Sequence, residues 1–377
     1  MVFAPVLLED WLRDYYFTTE IDLGCSGVED YSMAEVRALT GLTQEDLDRV
    51  IFHDSRSLGG PELRQALADR FAGGQAERVM ATHGSSEAIY LTLHTLLQPG
   101  DRVVMLDPCY PQFYGAAEAI GCEVVRWPVR FERGFAADLA ELDGLVTPQT
   151  RMVVVNFPHN PTGTTITREE QQALIAAVAK VGAYLVWDGA FAEITHGAGQ
   201  LPDPGLFYGR TVSLGTLSKC YGLPGLRVGW CLAAPEILQR FVTTRDYLTL
   251  ALSPLVELIA RRVIENGAAL VSVRRRQARR NLDILAAWIE EHADLVEWVR
   301  PRGGVSTFVR FPGIDDVEGF CHALVRHQGV LLVPGACFQH PWFARLGFGC
   351  STPVLKEGLA RLARELAAAR SGRGRLC

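Results

Sequence analysis

The chain has 377 residues, of which 48% are hydrophobic and 21% charged, and a formal net charge of −6. That length fits one large domain plus a smaller one, and the composition allows a sizeable core. An acidic chain without a basic stripe argues against nucleic acid as the main partner. The N-terminal stretch MVFAPVLLEDWLRDYYF places acids inside its apolar run and lacks a basic start, so it does not read as a signal peptide. No apolar run reaches membrane-span length. The nine cysteines are scattered and never form a Cys-x-x-Cys pair, which fits reduced thiols in a cytoplasmic protein better than a disulfide framework or a zinc site.

Between about residues 79 and 232, short apolar runs alternate with amphipathic segments. RVMATHG leads into SSEAIYLTLHTLLQPG, a strand followed by a helix. RVVMLD, CEVVRW, RMVVVNF, AYLVWDG, TVSLGT and RVGWCLA read as further buried strands, with helices such as TREEQQALIAAVAKVG between several of them. This α/β alternation predicts an open, mainly parallel sheet covered by helices on both faces, with its ligand beyond the carboxyl ends of the strands. One long charged helix follows over about 267–293, and its arginines, Arg274, Arg275, Arg276, Arg279 and Arg280, are expected on a solvated face. GGVSTFVRF, EGFCHALVRHQ, GVLLVPG and RLGFGCS then read as a strand, a helix and short strands, closed by a helix from Pro353. The tail RSGRGRLC is expected to fray. The predicted division is a large domain over 55–265 and a smaller α/β domain built from 266–377 with 1–54.

Four features fall at successive strand ends. In HGSSEA, Gly84, Ser85 and Ser86 open a helix, which suits a phosphate, although two serines also make an ordinary N-cap. NFPHNPTG puts Asn160 in a Pro-bounded turn. In VWDG, Asp188 ends an apolar strand, where a carboxylate needs a cationic or hydrogen-bonding partner unless it merely caps a turn. The fourth is SLGTLSKCYGLPGLRVGW, with Thr216, Ser218, Lys219 and, eight residues after the lysine, Arg227. Lysine is rare here: only Lys180, Lys219 and Lys356 occur, and the other two lie on amphipathic helices as surface residues. An amine in a desolvated cleft can capture an aldehyde, whereas arginine cannot lose its proton.

A lysine for an aldehyde, an acid for a pyridine nitrogen and donors for a phosphate together call for pyridoxal 5′-phosphate (PLP). The set resembles the fold-type I PLP enzymes of the aspartate aminotransferase superfamily over nearly the whole chain. The resemblance implies that Lys219 binds the cofactor's aldehyde, Asp188 pairs with its pyridinium, and Asn160 contacts the ring hydroxyl. Gly84, Ser85, Ser86, Thr216, Ser218 and Arg227 would surround the phosphate, and Tyr110 in DPCYPQF would stack on the ring. Arg345 in ARLGFG would clamp the substrate α-carboxylate, with Gly27 beside it. Family active sites lie at a two-fold interface, so a homodimer is expected.

Two departures stand out. The family's tyrosine three residues after the aspartate is Phe191 here. The tyrosine expected just before the segment Gly60–Arg64 is missing, with Asp54 near its place. THGSSEA, VVVNFPHNPTG, VWDGAF, GTLSKCYGLPGLRVGWC, RDYLTLALSPL and PRGGV are more narrowly similar to the capreomycidine synthases. Those enzymes serve streptothricin- and viomycin-type antibiotic pathways and cyclise 3-hydroxyarginine with release of water. This resemblance implies acids for a guanidinium, with Glu29, Asp30 and Asp54 as candidates, each equally readable as a loop acid. The competing readings are a conventional amino-acid aminotransferase, a PLP β-lyase, and a PLP-binding regulatory module. Against the last, such regulators carry an added DNA-binding domain, and only a short segment precedes the enzyme-like region.

Overall fold

Runs of Val, Leu and Met bounded by Gly, Pro and Asp become a seven-stranded sheet. The computed structural model of the protein describes residues 3–197 and 199–370. The N-terminal part contributes α1 (Leu7–Tyr15), β1 (Ile21–Asp22), α2 (Met33–Thr40), α3 (Gln44–Asp48) and α4 (Pro61–Phe71). Then come β2 (Val79–His83), α5 (Gly84–Leu96), β3 (Arg102–Asp107), α6 (Pro111–Ile120), β4 (Glu123–Pro128) and α7 (Leu139–Leu145). The sheet is completed through β5 (Thr150–Asn156), α8 (Arg168–Lys180), β6 (Tyr184–Asp188), β7 (Thr211–Thr216) and β8 (Val228–Ala233). Its order is β2-β8-β7-β6-β5-β3-β4, with β8 antiparallel to both neighbours and the other pairings parallel. The strand interiors are buried, because helices cover both faces, except in β4, expected to be buried, which lies at the sheet edge and buries only Trp127.

After α9 (Pro235–Arg245) and α10 (Pro254–Glu265) comes the long α11 (Gly267–Glu291). The rest folds as β9 (Ser306–Val309), α12 (Val317–Gln328), β10 (Val330–Leu331), β11 (Val333–Pro334), β12 (Ala344–Gly347) and α13 (Thr352–Arg370). The stretch read as one run, GVLLVPG, splits between two sheets: β10 pairs with the N-terminal β1, while β11 joins the antiparallel β11-β12-β9. From residue 371 the tail lies outside the described residues.

One expectation about α11 is corrected. Arg275, Arg276, Arg279 and Arg280 are at least partly exposed, but Arg274 is buried. It falls in line with Leu270 and Ala278, four residues either side, on the face that packs inward. Lys180 and Lys356 lie on the surface as expected. Among the described residues no helix is long and apolar enough to cross a membrane, and no cluster of His, Cys, Asp and Glu could hold a metal.

Candidate active site

The strand order reverses between β3 and β5, whose connections lead to opposite edges of the sheet, and the carboxyl ends of β2, β3, β5, β6 and β7 share one side. His83, Asp107, Asn156, Asp188 and Thr216 end those strands, which is where open α/β sheets bind ligands.

At the β2 end, Gly84 turns the chain with φ +68° and starts α5, whose first turn carries no side-chain cap. Its amides are left to an incoming acceptor. Gly229 of β8 lies in register between Thr82 and Thr216. A Cβ there would sit 2.6 Å from Ser85 N and closer still to Gly84 C, so only glycine lets the helix start press onto the sheet. Arg227 holds the left-handed conformation at φ 53°, unusual for a non-glycine residue, and its Nη2 would lie 2.7 Å from a Cβ at Gly84. The Thr216 hydroxyl lies 3.0 Å from Ser218 Oγ and 3.1 Å from Val228 O. Gly84, Ser85 and Arg227 therefore meet Thr216 and Ser218 across Gly229, which makes a cradle of donors at the carboxyl end of the sheet.

Asp188 is buried, and its carboxylate accepts a hydrogen bond from Ala190 N at 3.0 Å. Burial pushes its pKa up to about 6, against the opposing pull of the Ala190 amide and of the Lys219 charge. Lys219 Nζ donates to Ser26 Oγ at 3.0 Å. Burial lowers the lysine's pKa, Arg345 adds to that, and Cys25, Glu9 and Asp188 oppose it. A buried acid lacking a cation, a partly desolvated amine and a donor cradle that a Cβ would fill fit PLP in three independent respects.

Two residues that the sequence reading passed over shape the loop after β5. Asn156 Nδ2 donates to Asp188 O at 2.8 Å, and Asn156 Oδ1 accepts from Asn160 N at 2.7 Å. His159 Nε2 lies 2.7 Å from Pro108 O and must donate there, so Nδ1 accepts from the Thr162 hydroxyl at 2.8 Å. Burial holds this histidine neutral, with its pKa down at about 4. Their spacing in NFPHNPTG was visible, but not what they would bond. Asn160 Oδ1 in turn accepts from Arg345 Nη1 at 3.2 Å, while Arg345 Nε and Nη2 both donate to Gly24 O at 2.9 and 2.7 Å. Gly27 runs along the lysine loop: a Cβ on it would lie 3.2 Å from Ser218 O, and Val28 N donates to Lys219 O at 3.0 Å. Tyr110 OH donates to Glu9 Oε1 at 2.9 Å. Phe191 is buried against the Gly303–Gly304 turn, its ring 3.8 Å from a Cβ at Gly304, which locates the PRGGV segment beside the site.

The three candidate acids have different surroundings. Glu29 is not free: its Oε2 accepts from Arg274 Nη1 at 2.9 Å and from Gln277 Nε2 at 2.7 Å. Burying Arg274 on α11 requires that partner. Asp54 is exposed and lines a cavity of about 550 Å³ with Gly60, Glu257 and Arg261, apart from the Lys219 cluster of its own chain. Asp30 lines a cleft of about 220 Å³ with Asp22, Gly27 and Cys350. Burial raises its pKa, while the Arg274 and Lys219 charges pull the other way.

The fold and this lysine–aspartate–anion cradle define a fold-type I PLP enzyme. Residues 44–362 match the family model for aminotransferase class I and II. The chain is 44% identical to the capreomycidine synthase of Streptomyces vinaceus over 370 residues, covering 98% of this chain and 95% of that one. It is 30% identical to the arginine–pyruvate transaminase AruH of Pseudomonas aeruginosa, covering 81% and 80%. The solved structure of the PLP-dependent cyclase OrfR superposes with a TM-score of 0.93 at 45% identity, covering 97% and 98%. The chain belongs to the class I and II aminotransferase family and is a PLP-dependent enzyme.

Proposed function

We propose that the enzyme converts 3-hydroxyarginine to a cyclic guanidino amino acid. In the net change the Cβ–O bond breaks, a guanidine nitrogen forms a bond to Cβ, and one water leaves with the α-amino group retained. The observation that carries this reading is an intact Lys219, Asp188 and Arg345 set in a chain 44% identical to a capreomycidine synthase along 98% of its length. Bound PLP supplies an electron sink that labilises the substrate's Cα–H and Cβ–O bonds.

The chain's own residues do the rest. Arg345 pairs with the α-carboxylate, held in place by Gly24 O and Asn160 Oδ1. Lys219 Nζ, its pKa lowered by burial, takes the α-proton as a base and returns a proton to Cα. Asp188, once facing a cation, stays ionised and holds a proton on the ring nitrogen. Asn160 and Tyr110 would flank the ring, and Gly84, Ser85, Ser86, Thr216, Ser218 and Arg227 would take the phosphate. Replacement of the family tyrosine by Phe191 removes a phenol that resemblance associates with transamination.

This reading includes a homodimer with a large domain over 55–265 and a smaller one from 1–54 and 266–377. Exposed apolar side chains at Ile51 (72%), Phe52 (74%) and Tyr247 (89%) support a covered face there. A cytoplasmic setting and a role in antibiotic biosynthesis are part of the same proposal. Eight free thiols among the described residues support the former, and the similarity to capreomycidine synthase supports the latter.

The test supplies 3-hydroxyarginine without any keto acid. A product lighter by one water, with its amine kept and its ring seen by NMR, is expected. Turnover only with added pyruvate would replace the cyclase with an arginine transaminase, the second reading, which the similarity to AruH favours.

A further inference from the structure

Helix α1 is fastened to the smaller sheet and α12. Trp11 Nε1 donates to Leu332 O at 2.8 Å, and Tyr15 OH meets His322 Nδ1 at 2.7 Å. From the same helix Glu9 reaches across to Tyr110, just beyond the end of β3, and takes its hydroxyl hydrogen at 2.9 Å. Glu9 is partly buried, and among the described residues no arginine, lysine or histidine forms an ion pair with it. A carboxylate accepts through two oxygens and donates nothing, so one phenol leaves most of its capacity unused. Its negative charge acts on Lys219, and Tyr110 in turn feels Arg345 and Asp188. Glu9 therefore stands among the groups that handle the amino acid, and it lacks a cation.

Two of the neighbouring acids are engaged elsewhere, and the third lies close to an arginine. Asp22 Oδ1 accepts from Gly24 N at 2.7 Å and Cys25 N at 2.9 Å, which holds the turn beneath Arg345. Glu29 is bound by Arg274, and Asp30 already lies in the field of the same arginine.

We propose that Glu9 is a specificity-determining residue that binds the substrate's guanidinium. The proposal rests on the cyclase reading and deepens it. Arg345 takes one pole of the amino acid and Glu9 the other. Because Tyr110 spends its hydrogen on Glu9, its oxygen keeps only acceptor capacity for a further partner. A phenol oxygen beside a carboxylate oxygen suits the planar fork of N–H groups that a guanidinium presents, and gives a neutral ureido group no charge partner. Holding the guanidinium next to Tyr110, instead of at a remote rim, keeps it within reach of Cβ, the arrangement that favours ring closure.

The experiment titrates the visible absorbance of the holoenzyme with L-arginine and with L-citrulline, which has the same length and no charge. The wild type binds arginine about 10- to 100-fold more tightly, the worth of a charge-assisted hydrogen bond. Glu9→Gln, which keeps an acceptor for Tyr110, brings the two affinities close to equal, with the cofactor band and melting temperature unchanged. Glu9→Asp restores part of the preference, and Asp30→Asn keeps all of it. Retention of the preference in Glu9→Gln, or its loss in Asp30→Asn, overturns the assignment. No turnover is needed, so the two readings separate. A wild type that prefers arginine but makes no cyclic product removes the cyclase and leaves Glu9 in place. A wild type without the preference removes the role of Glu9, whatever product it makes.

Discussion

Asp188 should make the cofactor-free protein less stable than a mutant lacking its charge. The carboxyl is buried and its folded pKa is about 6, against an ordinary 3.8. Between those values the folded chain holds a proton that the unfolded chain has released, so unfolding stability falls as pH rises through that window. Each pKa unit is worth about 1.4 kcal/mol, so the full difference is about 3 kcal/mol, reached above pH 7 and down to about 0.5 kcal/mol near pH 4. Asparagine cannot ionise. Asp188→Asn should therefore come within about 0.5 kcal/mol of the wild-type apoenzyme near pH 4 and exceed it by up to about 3 kcal/mol at pH 7.5. Urea unfolding of both apoproteins at the two pH values measures this directly. With PLP bound the ranking should reverse, because Asp188 then has its cation, whereas an amide in its place cannot hold the ring proton. An apo mutant no more stable than wild type at pH 7.5 would refute the claim that Asp188 waits as an uncompensated buried acid.

Glu29→Gln should lower stability by about 1–2 kcal/mol, because Arg274 (7% exposed) loses its charged partner while Glu29 itself is 40% exposed. Arginine affinity of that variant should stay unchanged, and a calorimetric melt beside a binding titration checks both. Gly229→Ala places a methyl group against the Gly84 and Ser85 backbone and should cost about 1–3 kcal/mol, with faster loss of cofactor on dialysis. Borohydride reduction of the holoenzyme followed by peptide mass mapping should put the cofactor on Lys219 and leave Lys180 and Lys356 unmodified; label on either surface lysine would displace Lys219.

The strands were legible because burial on both faces writes them as unbroken apolar runs. VVVN and LVWD could be little else at that length. The cofactor-side residues were legible because they follow those runs directly, punctuated by Gly, Pro and Asp. Pairing direction was not: RVGWCLA reads the same parallel or antiparallel, and β8 proves antiparallel. Arg274 carried a usable signal, since a spacing of four from Leu270 and to Ala278 puts it on the apolar face, but its charged neighbours masked that stripe. Glu9 carried none. Its partner is Tyr110, 101 residues away, and only the docking of α1 brings them together. Asp54 could not be placed from one chain, because the family resemblance gives its position a role toward a second copy.

The segment around Gly27 is among the first to be synthesised, yet some of its partners are among the last. Leu23 O accepts from Gly347 N at 2.7 Å, and Glu29 N donates to Gly349 O at 2.8 Å. β1 finds its partner only in β10, residues 330–331. A growing chain can therefore complete the seven-stranded sheet, with Lys219 and Asp188 in position, while the wall opposite them is held through Lys219 O and Gly222 O but still lacks its partners in β10 and after β12. Ribosome-stalled chains ending before residue 330 should show a protease-resistant sheet yet no arginine binding. The order of translation thus leaves that wall of the site fastened on one side only until the polypeptide is nearly finished.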